Sequence, residues 1–173
     1  MAEITNRLAF FDLRDWWLSD PKVYELLEEP RLNKGQFADP FYPVSQQPEG
    51  GFPYARYTVS RTLNFPQWWM HVEQVGIDLY MMDVMDSSLV FNTFVDMASR
   101  GDESARELER WLDKRNADRI AANEDPIPRD FRFHSLEYMG GGDIVPADEE
   151  GGNHSRIMMF NISYSPIGGR DIA

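Results

Sequence analysis

Trp68 to Met82 reads WWMHVEQVGIDLYMM, and within it Val75, Ile77, Leu79 and Met81 alternate with Gln74, Gly76, Asp78, Tyr80 and Met82. A period of two places the first set on one face of a strand and the second set on the other. The preceding stretch, Tyr54 to Phe65 (YARYTVSRTLNF), alternates in the same way, with Ala55, Tyr57 and Val59 set against Arg56, Thr58 and Ser60. A short turn containing Pro66 joins the two, so an antiparallel pair is the simplest topology. A second pair lies near the end of the chain, in Asp130 to Met139 (DFRFHSLEYM) and Ser155 to Ser165 (SRIMMFNISYS). Between them runs MGGGDIVPADEEGGNH, with Gly140, Gly141 and Gly142 in a row and the acids Asp143, Asp148, Glu149 and Glu150. This reads as a hairpin with a long acidic loop over 140–153, well beyond the usual two to five residues, and glycines without backbone partners make such a loop mobile.

Helical spacing surrounds the strands. Leu8, Phe11, Asp15 and Leu18 recur three or four apart over 3–18, and the rings of Phe10, Phe11, Trp16 and Trp17 add a second apolar stripe. Asp20 followed by Pro21 restarts a short helix that buries Val23, Leu26 and Leu27, with Pro30 as its expected end. After the first strand pair the period lengthens again. Asp86, Ser87 and Ser88 offer N-caps for a helix to about Ser99, and Asp102 offers one for the next, which carries Ala105, Leu108 and Trp111 or Leu112 inward. The outer face of that last helix mixes Arg106, Arg110, Lys114 and Arg115 with Glu103, Glu107 and Glu109, an ordinary solvated surface.

Between the first helices and the first strand lie Pro30, Pro40, Pro43, Pro48 and Pro53 together with Gly35, Gly50 and Gly51. That punctuation disfavours helix and central strand, and predicts an extended arm or long loop over 30–53. Its rings, Phe37, Phe41, Tyr42 and Phe52, suit docking on a surface, either its own domain or a partner. The organisation is therefore one domain: N-terminal helices over 1–29, the arm over 30–53, and a core over 54–173.

With 173 residues and 42% hydrophobic residues, the chain is long and apolar enough to build one such core. A net charge of −12 argues against a general binder of nucleic acid or anionic membrane. The absence of cysteine removes disulfides, zinc ribbons, iron–sulfur clusters and thiol catalysis. No run approaches the ~20 apolar residues that cross a bilayer, and MAEITNRLAFFDLRDWW carries Glu3, Asp12 and Asp15, so it does not read as a signal peptide. Synthesis in the cytoplasm is expected, with no membrane partner.

Few residues invite chemistry. His71, His134 and His154 show no metal-ligand spacing. His71 and Glu73 share a strand face and could hold a proton or a metal, though a half-buried polar face explains them as well. Asp83 and Asp86 flank a strand-to-helix turn, where Asp86 serves better as a helix cap than as a catalytic acid. Gly140–Gly142 lack the Lys-Ser or Lys-Thr of a phosphate loop, and the acids beside them would repel phosphate. Those acids also lack the alternating ligands around a central glycine that calcium loops use, and no Gly-x-Ser-x-Gly elbow is present. No catalytic residue, metal ligand or cofactor is expected. The adjacent Trp68 and Trp69 are harder to place, because neighbouring strand residues point to opposite faces. Either both rings are buried under flanking helices, or one of the two, with Tyr80 and Met82, forms an apolar patch for subunit contact, with Phe41 and Tyr42 of the arm as another.

The phrases FPYARYTVSRT, EQVGIDLYMMD, DSSLVFNTFVDMAS, RGDESARELERW and a closing NISYS occur in an order that resembles the tail terminator proteins of long-tailed bacteriophages. In particular, Pro53-Tyr54, Ile77-Asp78-Leu79-Tyr80 and Asp102-Glu103-Ser104-Ala105 are similar to phrases of that family, over about three fifths of the chain. The resemblance implies an α+β fold, a mostly antiparallel sheet flanked by helices, and no enzymatic activity. It implies a hexameric ring at the head-proximal end of the virion tail that stops growth of the tail tube and offers the surface for head–tail joining. Its partners would be further copies of itself, the major tail tube protein and a stopper or connector protein, with genomic DNA passing through the lumen without specific binding. Asp143, Asp148, Glu149 and Glu150 would then face the lumen or the tube. Two other readings stand beside it: another head–tail joining subunit, and a small α+β enzyme or binding domain with His71, Glu73, Asp78 and Tyr80 around a pocket.

Overall fold

The computed structural model describes residues 7–35, 39–46, 48, 51–62, 70–141, 145–146 and 154–167. Along the chain come α1 (Phe10–Leu18), α2 (Pro21–Val23), a π-helical turn (Tyr24–Glu28), α3 (Glu29–Asn33), β1 (Phe41–Pro43), β2 (Tyr54–Thr62) and β3 (His71–Met81). There follow α4 (Val84–Met97), α5 (Asp102–Ala121), β4 (Phe131–Gly141), β5 (Val145–Pro146) and β6 (His154–Pro166). The fold is α+β. Both strand pairs legible in the sequence form, β2 with β3 and β4 with β6, and β3 and β6 join them into one sheet of order β1-β2-β3-β6-β4, with β5 on β6. Every pairing is antiparallel except β1 with β2, which makes the sheet mixed.

Register explains where the core sits. Val75 lies opposite Phe160, Ile77 opposite Met158, and Glu73 opposite Ile162, so the alternating apolar sets of β3 and β6 fall on one face. All of those side chains are buried. The helices cover this face: the Trp17 ring of α1 stacks on Phe94 of α4 at 4.2 Å between centroids and tilts over Phe160 of β6 at 5.1 Å. Phe41 of β1 completes the group beside Phe10 and Phe94. Arg115 of α5 pairs with Asp15 of α1 at 3.5 Å, and Arg7, ahead of α1, pairs with Asp12 at 2.6 Å and with Asp130, ahead of β4, at 3.2 Å.

One side chain aligns the helix layer with the sheet. Ala9 precedes α1 and supplies no side-chain cap, so the first N–H groups of the helix need acceptors from elsewhere. Glu73, fully buried on β3, provides them: its two carboxylate oxygens accept from Ala9 N at 2.9 Å and Phe10 N at 3.0 Å. Arg61 of β2 donates to the same carboxylate at 3.3 Å, and burial first, then the nearby Glu73 charge, hold the Tyr164 phenol of β6 well above its ordinary range. A carboxylate at a helix N-terminus is also favoured by the helix dipole.

Several local expectations are corrected. Helix α1 begins at Phe10 rather than near Glu3, with residues 1–6 outside the described set. Pro30 does not end the second helix, because Glu29 N bonds five residues back to Tyr24 O and the widened turn lets a residue without an N–H open α3. The cap of α4 is Asp83, whose extended backbone lets its carboxylate accept from Met85 N at 2.8 Å and Asp86 N at 3.0 Å, whereas Asp86 is already inside the first turn. Gly101, not Asp102, is the N-cap of α5: it adopts φ +61° while its backbone exchanges two hydrogen bonds with Leu136 of β4.

The segment 30–53 is not wholly extended either. Residues 30–33 are helical and 41–43 form an edge strand held by Pro40 O, which accepts from Ala55 N at 2.8 Å. Prolines lack N–H groups, so this segment has surplus carbonyls, and cationic side chains supply donors. Arg31 reaches Pro53 O at 3.1 Å, Lys34 reaches Phe52 O at 3.0 Å, and Arg56 reaches Gln46 O at 3.4 Å. At the other end of the chain the sequence begins the acidic loop at Gly140, yet Gly140 and Gly141 belong to β4 and pair with Met159 and Met158. A Cβ on Gly141 would stand 2.1 Å from Ile157 O, so the close approach of β6 demands glycine there.

Replacing Glu73 by Ala should leave two buried backbone N–H groups and Arg61 without their acceptor, at a cost of about 3 to 5 kcal/mol. Thermal unfolding followed by circular dichroism should show Tm falling by roughly 10 °C for a domain of this size. An unchanged Tm would mean that Glu73 does not anchor α1.

Candidate functional site

The same register that fills one face leaves the other open. Tyr54, Arg56, Thr58 and Ser60 of β2, Gln74, Gly76, Asp78 and Tyr80 of β3, and Ser155, Ile157, Met159, Asn161 and Ser163 of β6 share it. Glu137 of β4 lies opposite Asn161, and Arg132 opposite Ser165. Among the described residues α3 covers its β1 edge, where Arg31 lies over Tyr42, and the helices α1, α4 and α5 pack on the other face.

Its apolar residues form a diagonal band. Phe52 stacks on Tyr54 at 5.3 Å, and Tyr54 stacks on Tyr80 at 4.8 Å. Tyr80 pairs with Ser155, one strand row from Ile157, which is opposite Asp78; Met159 follows two residues on, opposite Gly76. Met139 falls in the β4 bulge next to the Gly140–Met159 pair, and Met82, past the end of β3 on the Phe52–Tyr54 side of the band, has 66% of its surface exposed. Met139 and Ile157 are exposed too. The band thus sets exposed Met82, Met139 and Ile157 beside the half-buried Phe52, Tyr54, Tyr80 and Met159.

Asp78 is satisfied within the band, whereas Arg56 Nε and Asn161 Oδ1 on the same face are buried without a hydrogen-bond partner. Asp78 accepts from the Tyr80 hydroxyl at 3.2 Å and from Ser155 Oγ at 2.9 Å. Burial first, then the charge and hydrogen bond of Asp78, raise the Tyr80 phenol above its ordinary range, so it stays protonated and donates. Burial likewise raises Tyr54.

The residues singled out in the sequence separate into groups. Tyr80 lies half-buried on the open face, and Met82, just past the end of β3, is exposed. Phe41 and Tyr42 are both covered: Phe41 is buried on the core face between Phe10, Trp17 and Phe94, and Tyr42, opposite Arg56 on the open face, is buried under the Arg31 guanidinium of α3, which donates to its hydroxyl. Burial within their own chain removes both from any exposed interface. Trp68, Trp69, Asp143, Asp148, Glu149 and Glu150 lie outside the described residues.

The enzyme-like quartet does not converge. His71 and Glu73 sit on the buried face, whereas Asp78 and Tyr80 sit on the open one, so the sheet itself separates the pairs. Glu73 is committed to the α1 N-terminus, and the His71 ring rests on Tyr164 at 5.7 Å. Among the described residues no group of three or more His, Cys, Asp or Glu is placed to hold a metal, and no helix is long and apolar enough to cross a membrane. Described residues line two of the surface clefts. One of about 610 Å³ is lined by Ser19, Trp111 and the C-terminal half of α5, where Lys114 pairs with Asp118 at 2.6 Å and Arg119 with Glu124 at 3.0 Å. The other, of about 480 Å³, holds Arg129 paired with Glu109 and Asp113. Their charges neutralise one another within the protein.

Ile157, Met159, Met139 and Tyr54 were not singled out in the sequence. The alternation of Ser155–Ser165 contains the signal for the first two, and only the β3–β6 register says that their face is the uncovered one.

The two described histidines with resolved environments titrate below their ordinary value. Burial and then the Arg61 charge lower His71, and burial and then Arg132 lower His134. Between each folded value and 6.5 the unfolded chain binds protons that the folded chain refuses, so stability falls as pH drops through 6.5 and below. Urea midpoints measured at pH 7.5 and 5.5 should fall for the natural chain and fall less for His71→Gln/His134→Gln; equal losses would assign the pH dependence elsewhere. No family model matches the chain, and no curated protein matches it.

Proposed function

We propose that the chain is a bacteriophage structural protein, a tail terminator that forms a hexameric ring on the head-proximal end of the tail tube, stops its growth and presents the surface for head–tail joining. The resemblance in element order over residues 52–115 and 130–165 is the source of this reading. The observation that carries it is the uncovered sheet face, with half-buried Tyr80 and exposed Met82 on its apolar band and no convergent polar site among the described residues. Such a surface suits permanent contact between proteins rather than turnover of a small substrate.

Charge fits the same role. Six copies at −12 carry −72, and acidic groups facing a bore repel phosphate, so DNA passes without adhering. In this reading the acidic loop with Asp143, Asp148, Glu149 and Glu150 faces the lumen or the tail tube, and the proline-rich segment 30–53 braces the sheet edge. The ring is part of the virion tail, made in the host cytoplasm, with the tail tube protein on one side and a stopper or connector on the other. No cofactor or catalytic group takes part.

Light scattering over a concentration range, with negative-stain images of the same fractions and of fractions mixed with tail tubes, tests the reading. A mass six times that of the chain in ring-shaped particles, or density at one end only of each tube, is the expected result. A monomer that ignores both tube ends would overturn it. Deleting Gly142–Gly152 should leave the melting curve of the domain cooperative while abolishing infectious particles, and a normal phage titre would remove the loop from the joining surface.

A further inference from the structure

The open face needs a convex apolar partner, and the chain carries one on its opposite side. Helix α4 buries Ser87, Val90 and Phe94 against the sheet and turns Met85 and Leu89 outward, four residues apart on one stripe. Met85 exposes 76% of its surface, and Val84 and Leu89 are exposed as well. Helix packed on sheet is already the architecture of the domain, which supplies a helix layer for only one of its two sheet faces. We infer that α4 of one copy, through Met85 and Leu89, packs into the open sheet face of the next copy, so that subunits join head to tail.

Charge and shape agree with a second copy as the occupant. The described strand residues of the open face carry Arg56 and Arg132 against Asp78 and Glu137, which balances to zero on a chain whose net charge is −12. Like-charged copies therefore meet with least repulsion where this face is covered. The band exposes Met82, Met139 and Ile157, with Tyr54, Tyr80 and Met159 half-buried beside them, a row of six apolar side chains able to take the outer row of α4. Gly76 leaves a shallow depression beside Met159: a Cβ added there would meet only Thr58 Oγ1, at 4.0 Å. That depression suits an inserted Leu or Met side chain.

The contact is heterologous, because the two surfaces lie on opposite sides of one molecule, and heterologous contacts that close make rings. This inference rests on the ring reading above and specifies the surfaces that build it. Face-to-face pairing of two sheets would instead give a closed dimer and leave α4 uncovered.

The absence of cysteine makes a clean crosslinking test possible. Met85→Cys and Ile157→Cys chains, oxidised separately, should remain unlinked, and an equal mixture should give disulfide-linked pairs. A chain carrying both changes should give covalent ladders ending at six. A Gly76→Val chain, whose new side chain suits a strand and fills the depression, should keep its Tm and lose assembly. Linking of Ile157→Cys to itself would show face-to-face pairing and overturn the inference. An unlinked mixture in a sample that still has sixfold mass would also overturn it, while leaving the ring reading standing. An unlinked mixture of chains that stay monomeric, alone and with tail tubes, would overturn both.

Discussion

The carboxylate of Glu73 is the point on which the arrangement turns. It is fully buried, and it gathers the N-terminus of α1, Arg61 of β2 and Tyr164 of β6 around one strand position. An apolar residue there would bury as well, yet it would leave the first N–H groups of α1 without acceptors and the helix free to slide over the sheet. Fixing α1 at that point sets Trp17 over Phe160 and Phe94, which in turn places α4. Helices α1 and α4 are thereby committed to one face, and the other face is left without cover beyond its β1 edge.

That asymmetry has a physical consequence. A sheet with helices on one side is complete as a folding unit because its core is closed by Trp17, Phe41, Phe94 and Phe160. It is incomplete as a surface, since Met82, Met139 and Ile157 remain in water. In the proposed ring, folding and assembly would be divided between the two faces of the same strands. Glu73 and Val75 serve the first, and Asp78 and Tyr80 would serve the second, within a few residues of β3.

Much of this was legible before any coordinates. Period-two alternation at 54–60 and 74–82 gave both faces of β2 and β3 correctly, because a strand buried on one side must alternate. What alternation does not carry is pairing across long separations. Nothing local announces that β3 lies beside β6, 77 residues away at the Asp78–Ser155 contact, so Ile157 and Met159 went unnoticed. Caps were misplaced by one to three residues, since Asp83, Asp86 and Asp102 are chemically alike and only backbone conformation selects among them. Phe41 and Tyr42 were read as available rings because proline-rich composition suggests an arm. The cations that bind its surplus carbonyls, Arg31 above all, are distributed over α3 and β2 and make no pattern in sequence.

Methionine oxidation measures the central claim, that the open face and the outer row of α4 are covered on assembly. Met82, Met85 and Met139 are exposed in the single chain, whereas Met81 and Met158 are buried. Exposed thioethers oxidise to sulfoxides far more readily than buried ones. Peptide mass spectrometry after brief peroxide treatment, on dilute and on assembled protein, compares the two states residue by residue. The account expects oxidation of Met82, Met85 and Met139 to fall together on assembly while Met81 and Met158 stay protected throughout. Unchanged oxidation of those three in a sample of sixfold mass would contradict it.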